Sequence, residues 1–235
     1  MTAALSIENL SVSYGRRRVI ENLNLELKAG KTTIIKAVLG LREYDSGKIS
    51  LFGHERGTPA AKKSLSYLPE RFDPPWFLRG REFVRFALSL YGVKKDDEEI
   101  SAAAAQLALD PKVLGNRVQT YSKGMRQKLG IMGTVLPGTP LLILDEPMSG
   151  LDPRARACVK DMLDQARAAG RTIFMSSHIL SDMVEICDRV AVLAAGRLAW
   201  IGPPGDLCRE GSDPGLERAF LNIVDRVQAP LAEAS

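Results

Sequence analysis

Polar and apolar positions alternate at the start of the chain, in Leu5-Ser6-Ile7-Glu8-Asn9-Leu10-Ser11-Val12 and again in Leu23-Asn24-Leu25-Glu26-Leu27-Lys28. Successive strand side chains point to opposite faces, so this period predicts an antiparallel β layer with one wet face, turning at Tyr14-Gly15. Residues 46–53 extend the pattern as a further hairpin strand, and Leu65-Ser66-Tyr67-Leu68 predicts a short strand ending at Pro69-Glu70. The character then changes. Over residues 81–91 the apolar positions Phe83, Val84, Phe86, Ala87, Leu88 and Leu90 suit a helix, and residues 96–109 run charged and then alanine-rich. Leu141-Leu142-Ile143-Leu144 and Thr172-Ile173-Phe174-Met175 do not alternate. Such runs suit strands covered on both faces, as in a parallel α/β sheet. Val190-Ala191-Val192-Leu193 continues that core, Gly202-Pro203-Pro204-Gly205 closes it, and residues 216–227 predict a C-terminal helix.

This pattern predicts one domain over residues 1–235. An α/β core with its β layer occupies 1–73 and 121–205, a helical subdomain occupies 74–120, and a helical tail occupies 206–235. The turn-forming Asp73-Pro74-Pro75 serves as the hinge into the helical part.

Composition narrows the class. With 45% hydrophobic and 26% charged residues in 235, the chain has the make-up of a globular domain. No apolar run approaches the roughly 20 residues that span a bilayer, and Met1-Thr2-Ala3-Ala4-Leu5 lacks the basic start of a signal peptide. Cys158, Cys187 and Cys208 form no C-x-x-C pair and read as reduced thiols of a cytosolic protein. The net charge of +4 is spread thinly, with Arg16-Arg17-Arg18 the one tight basic run. A solvated hairpin turn accounts for that run better than a polyanion site, so no nucleic-acid partner is expected.

Candidate chemistry begins at Asp145-Glu146, two carboxylates at the end of the 141–144 strand. Open α/β sheets bind ligands beyond the carboxyl ends of their strands. One carboxylate there can hold Mg²⁺ and the next can orient or deprotonate water. A strand also meets acidic residues simply by entering a polar loop, so the neighbours decide. Upstream, Tyr121-Ser122-Lys123-Gly124-Met125-Arg126-Gln127-Lys128-Leu129 is a polar turn opening a basic helix. A serine hydroxyl and bare N–H groups at a helix start suit an anion, although serine is also an ordinary N-cap. Downstream, Ser149-Gly150-Leu151-Asp152-Pro153 precedes a helix over 154–167 that Asp152 can cap. Ser176-Ser177-His178 follows the second apolar strand; a lone histidine is more often structural than functional. Near the front, Gly30-Lys31-Thr32-Thr33 precedes an apolar segment expected as a helix over 34–39.

In this order and spacing the set resembles the nucleotide-binding (ATPase) subunit of an ABC transporter, over nearly the whole chain from Tyr14 to about Phe220. The resemblance implies an α/β P-loop NTPase core of ABC type, a mostly parallel sheet plus an antiparallel β layer, with an inserted α-helical subdomain. It implies ATP and Mg²⁺ as cofactors, and ATP hydrolysis that energises an export-type permease. Within it Glu146 polarises the attacking water and His178 senses the γ-phosphate. Tyr14 stacks on adenine, or is an ordinary strand tyrosine. Gly30, Lys31, Thr32 and Thr33 hold phosphate, and Thr32, Asp145 and Glu70 attend the metal. Ser122, Lys123 and Gly124 reach the nucleotide of a second subunit, with Ser122, Gly124 and Asp152 at the dimer interface. The implied partners are a transmembrane permease subunit and a second cassette, in a homodimer or ABC heterodimer across two nucleotides. The implied location is cytoplasmic, peripheral on the inner face of the cell membrane.

The chain departs from the family pattern in several places. Tyr121 replaces leucine, Lys123 glycine and Met125 glutamine, and Glu70 stands where many relatives have glutamine. The larger departure is an apparently truncated Walker A segment. The loop needs G-x-x-x-x-G-K-[ST] so that consecutive N–H groups wrap the phosphates. Leu25 stands five residues before Gly30, and Glu26-Leu27-Lys28-Ala29 continues an alternating strand. Judged against the strand and loop the motif requires, about a dozen residues are missing. Sliding residues 23–28 into a central strand puts Asn24, Glu26 and Lys28 on an apolar face, which is unfavourable. Three explanations stand open: an omitted segment, a deletion between two similar Ala-Gly segments, or a degenerate subunit. The last gives the alternative function of a non-hydrolysing regulatory subunit.

Overall fold

The computed structural model describes residues 3–14, 17–27, 32–35, 45–177, 179–210 and 216–228. In chain order the elements are β1 (Leu5–Tyr14), β2 (Arg17–Leu27), β3 (Thr32–Ile35), β4 (Ser46–Leu51), β5 (His54–Glu55), α1 (Pro59–Lys63) and β6 (Leu65–Leu68). There follow α2 (Gly80–Leu90), α3 (Asp97–Gln106), two 3-10 turns (Pro111–Gly115 and Val118–Thr120), α4 (Lys123–Val135) and β7 (Leu141–Asp145). The last elements are α5 (Pro153–Ala168), β8 (Thr172–Ser176), α6 (Leu180–Ile186), β9 (Arg189–Ala194), β10 (Arg197–Gly202), α7 (Pro204–Glu210) and α8 (Leu216–Gln228). They fall into two compact units, one of residues 1–62 with 176–235 and one of residues 63–175.

The first unit contains the expected antiparallel layer, ordered β2-β1-β4-β5. Ile7 pairs with Leu25 on one side and Ile49 on the other, and Leu10 pairs with Leu23. Leu5, Ile7, Leu10, Leu23, Leu25, Ile49 and Leu51 are buried, whereas Glu8, Asn24, Glu26 and Lys48 are exposed. The alternation in the sequence thus becomes a dry face and a wet face. The regular register breaks near Asn9, which has φ +49° and whose N–H donates to Asn24 Oδ1 at 2.8 Å. Opposite this bulge stands Gly47 at φ +108°, where an added Cβ meets Leu10 Cα at 2.6 Å and the Asn9 and Glu8 carbonyl oxygens at 2.7 Å. Only glycine fits there.

A second set of strands in this unit, β10-β9-β3, corrects the reading of Ile34 and Ile35 as the start of a helix. Thr32–Ile35 is a strand, parallel to β9, with Thr33 opposite Arg189, Ile34 opposite Val190 and Ile35 opposite Ala191. Residues 36–39 lie outside the described residues. The physical reason is local: Thr-Thr-Ile-Ile is four β-branched residues, whose restricted side chains favour a pleated surface over a helix. β2 has not slid into this position; it stays paired with β1 as far as Leu27. The C-terminal helix α8 packs on β9, β10 and α7, burying Ala219 and Ile223.

The second unit contains the strands β8-β7-β6 in that order. β6 and β7 are parallel, with Leu65 opposite Leu141 and Leu68 opposite Leu144. Leu141, Leu142, Leu144, Ile173, Phe174 and Met175 are all buried, which accounts for the unbroken apolar runs. The helical segment 74–120 belongs to this same unit, together with α4 and α5. α3 starts in a capping box: Asp96 accepts from the Glu99 N–H at 2.8 Å while the Asp96 N–H donates to the Glu99 carboxylate at 3.1 Å. α2 lies against α4, the helix that the serine turn opens. Among the described residues no helix is long and apolar enough to cross a membrane.

Candidate active site

The site builds up within residues 63–175, around the carboxyl end of β7. Asp145 is the last strand residue and is half-buried. The chain then bends sharply, because Glu146 takes a left-handed φ of +47° that residues with a Cβ seldom adopt. Its carbonyl accepts from the Ser149 N–H at 3.0 Å, closing a tight turn. Asp152 ends the loop by capping α5, accepting from the Ala155 N–H at 2.9 Å with Pro153 in the first turn. That hydrogen bond, helped by the Lys128 ammonium, holds the Asp152 carboxyl below the usual carboxylate range.

The serine turn lies directly against this loop. Ser122 caps α4 by accepting from the Met125 N–H at 3.2 Å, and it remains exposed. A Cβ added at Gly124 meets the Gly150 carbonyl oxygen at 3.4 Å, while Gly150, at φ +73°, has the Lys123 stem 3.1 Å from where its own Cβ would be. Lys123 and Gly124 therefore contact Gly150 and Leu151, and glycine at both 124 and 150 permits the approach.

Glu70 is exposed on the loop after β6, and Tyr67 on that strand links it to Asp145. The Tyr67 phenol is pushed up first by burial and then by the negative charges of Asp145 and Glu70, so both carboxylates lie within electrostatic reach of one hydroxyl. Further along the same loop Phe72 covers Gly130 of α4, where an added Cβ would meet its Cδ1 at 2.7 Å. Oxygen donors such as Asp145 and Glu70 suit Mg²⁺, which keeps waters and substrate oxygens around it. Among the described residues there is no cluster of three or more His, Cys, Asp or Glu side chains that could cage an ion.

Other residues expected at the site have different outcomes. Gly30, Lys31 and His178 lie outside the described residues. Tyr14 ends β1, and Thr32 and Thr33 lie in β3; only the backbone of these three is described.

Two features escaped the sequence reading. Gln127, 5% exposed, donates from Nε2 to the Pro147 carbonyl at 3.0 Å and reaches the Glu146 carbonyl at 3.5 Å. The two residues that follow it, Lys128 and Leu129, are buried as well. The second is Tyr121, buried beside the serine turn, whose hydroxyl donates to the Val113 carbonyl at 2.8 Å. Burial pushes its pKa up to about 12 from 10.0. The unfolded chain loses this proton near pH 10 and the folded chain only near 12, so stability falls as pH rises through that window. Tyr121→Phe is expected to flatten this alkaline limb in thermal unfolding measured from pH 9 upward; an unchanged slope assigns the effect to other groups.

A strand-end carboxylate pair, a serine turn at a helix start and a parallel β core fit the nucleotide-binding domain that the family resemblance implies. A family profile described as "ABC transporter" matches residues 28–149. An uncharacterized ABC transporter ATP-binding protein of Synechocystis sp. is 36% identical over 80% of this chain, which spans about half, 54%, of that relative's length. The Nod factor export ATP-binding protein I of Rhizobium etli is 29% identical over 96% of this chain and 79% of its own. A solved structure described as the ATP-binding subunit of an ABC transporter has a TM-score of 0.84 at 27% identity, covering 94% of this chain and 99% of its own. The chain belongs to the ABC transporter family, among its ATP-binding subunits.

Proposed function

We propose that this chain binds ATP with Mg²⁺, hydrolyses it, and drives an export-type membrane permease as a homodimer or ABC heterodimer across two nucleotides. The observation that carries the reading is the arrangement that follows the strand-end carboxylates: Lys123 and Gly124 contact the Gly150–Leu151 loop, and Gln127 of the same helix bonds the main chain next to Glu146. Glu146 accepts a hydrogen bond from the attacking water and takes its proton as the oxygen closes on the γ-phosphorus and ADP leaves. Asp145 and Glu70 would hold Mg²⁺, which would supply charge neutralisation at the phosphate oxygens. Ser122 and the N–H groups at the head of α4 present donors and a positive helix end to the nucleotide of the partner subunit. Lys31 and His178 are assigned to the β- and γ-phosphates, and Tyr14 to the adenine, by family resemblance.

Support for a permease partner comes from Trp76 and Phe77, in the segment that follows Glu70. They are 64% and 58% exposed and meet edge to face at 5.8 Å. Aromatic pairs left open to water mark contact surfaces more often than ordinary surface. Export follows the name of the Rhizobium relative, and a permease partner would hold the chain on the inner face of the cell membrane.

A second reading, a non-hydrolysing regulatory subunit, is favoured by one observation: Thr32–Ile35 is a strand where a phosphate loop leads into a helix. Labelled ATP titrated into the purified chain in magnesium buffer, with phosphate release followed in parallel, separates the two. Saturable binding with magnesium-dependent turnover is expected. Absence of turnover favours the second reading, and absence of saturable uptake removes nucleotide binding as well.

A further inference from the structure

We infer that Gln127 is a positioning residue for Glu146, holding the strained backbone that aims the catalytic carboxylate; the inference rests on the reading of Glu146 as the base. A buried amide needs partners, because apolar surroundings penalise an unbonded N–H. Gln127 finds its partner on another element. Its Nε2 donates to the Pro147 carbonyl at 3.0 Å, inside a region closed to water, and lies 3.5 Å from the carbonyl of Glu146 itself. Those carbonyls belong to the two successive peptides Glu146–Pro147 and Pro147–Met148, immediately after the φ of +47° at Glu146.

A left-handed conformation in a residue with a Cβ persists only where its surroundings over-determine it. Here the restraints are the Ser149 N–H on the Glu146 carbonyl from within the loop, and Gln127 from α4. α4 begins at the serine turn, so one helix carries both Ser122 and the side chain that fixes the Glu146 turn. Lys128, the next residue, anchors the same stretch by donating to the Ala108 carbonyl at 2.9 Å. A tilt of α4 therefore moves the Gln127 donor and changes the aim of Glu146. The inference assigns the serine turn's helix a part in setting the base, beside its contact with nucleotide.

The test uses the purified full chain. Gln127→Met keeps the volume and removes the donor, and Gln127→Glu keeps the shape and turns an acceptor toward the carbonyls. Both are expected to lower kcat by about tenfold to a hundredfold, the scale of a misplaced catalytic group. The Kd for labelled ATP should stay within about twofold, because positioning acts on the chemical step. A kcat that survives in Gln127→Met overturns the inference. So does a parallel loss of kcat and ATP affinity, which marks a general structural role. Wild-type chain without turnover defeats the reading of Glu146 and this inference together, a result told apart by measuring wild type first.

Discussion

Replacing Glu146 with glutamine is expected to lower ATP turnover by about 10²- to 10⁴-fold, the range set by loss of a general base, with ATP still bound. The substitution is nearly isosteric, and it leaves the hydrogen bonds at the Glu146 and Pro147 carbonyls in place because they involve only backbone acceptors. Glutamine also tolerates the left-handed φ of +47° about as well as glutamate does. What changes is proton affinity: an amide holds a water but does not take its proton. Phosphate release at saturating ATP, beside equilibrium binding of labelled ATP, measures the two effects separately. Full turnover in the variant would place the base elsewhere.

Gly47→Ala is expected to destabilise the unit containing the antiparallel layer by about 3 kcal/mol. Backbone strain at positive φ and overpacking against immobile atoms both contribute. The atoms that a methyl group meets there are the Leu10 Cα and the Asn9 and Glu8 carbonyl oxygens, all within 2.7 Å and all main chain. No side-chain rotation relieves the clash, so the β1–β4 register must yield. For a chain of this size the loss corresponds to a fall in Tm of roughly 6–12 °C. A Tm within about 2 °C of wild type would mean that the bulge at Asn9 relaxes without penalty.

The sequence was most legible where a local period met a local chemical requirement. Alternation over residues 5–12 and 23–27 foretold the dry and wet faces of β1 and β2, and the unbroken Leu141–Leu144 run foretold a strand buried on both sides. The caps were legible for the same reason: Ser122 and Asp152 stand one residue before the helices they cap. Ile34 and Ile35 were misread because the Lys31-Thr32-Thr33 triplet was matched to a motif that leads into a helix, against the strand preference of the four β-branched residues Thr32–Ile35. Gln127 was missed because a polar side chain between Arg126 and Lys128 looks solvated; only the fold shows two backbone carbonyls waiting for its amide. The compact division at Lys63 and Met175 has no local signal, since it arises from contacts between residues far apart in sequence.

The chain has two tryptophans, and the fold deals one to each compact unit. Trp76 lies in residues 63–175 and is largely open to water, whereas Trp200 is half-buried, its indole pressed over Gly202 at the end of β10. Each half of the protein thus holds its own intrinsic fluorophore, one open to water and one half-buried. Paired single-tryptophan variants turn that placement into two independent optical channels, one for each half's loss of structure under denaturant.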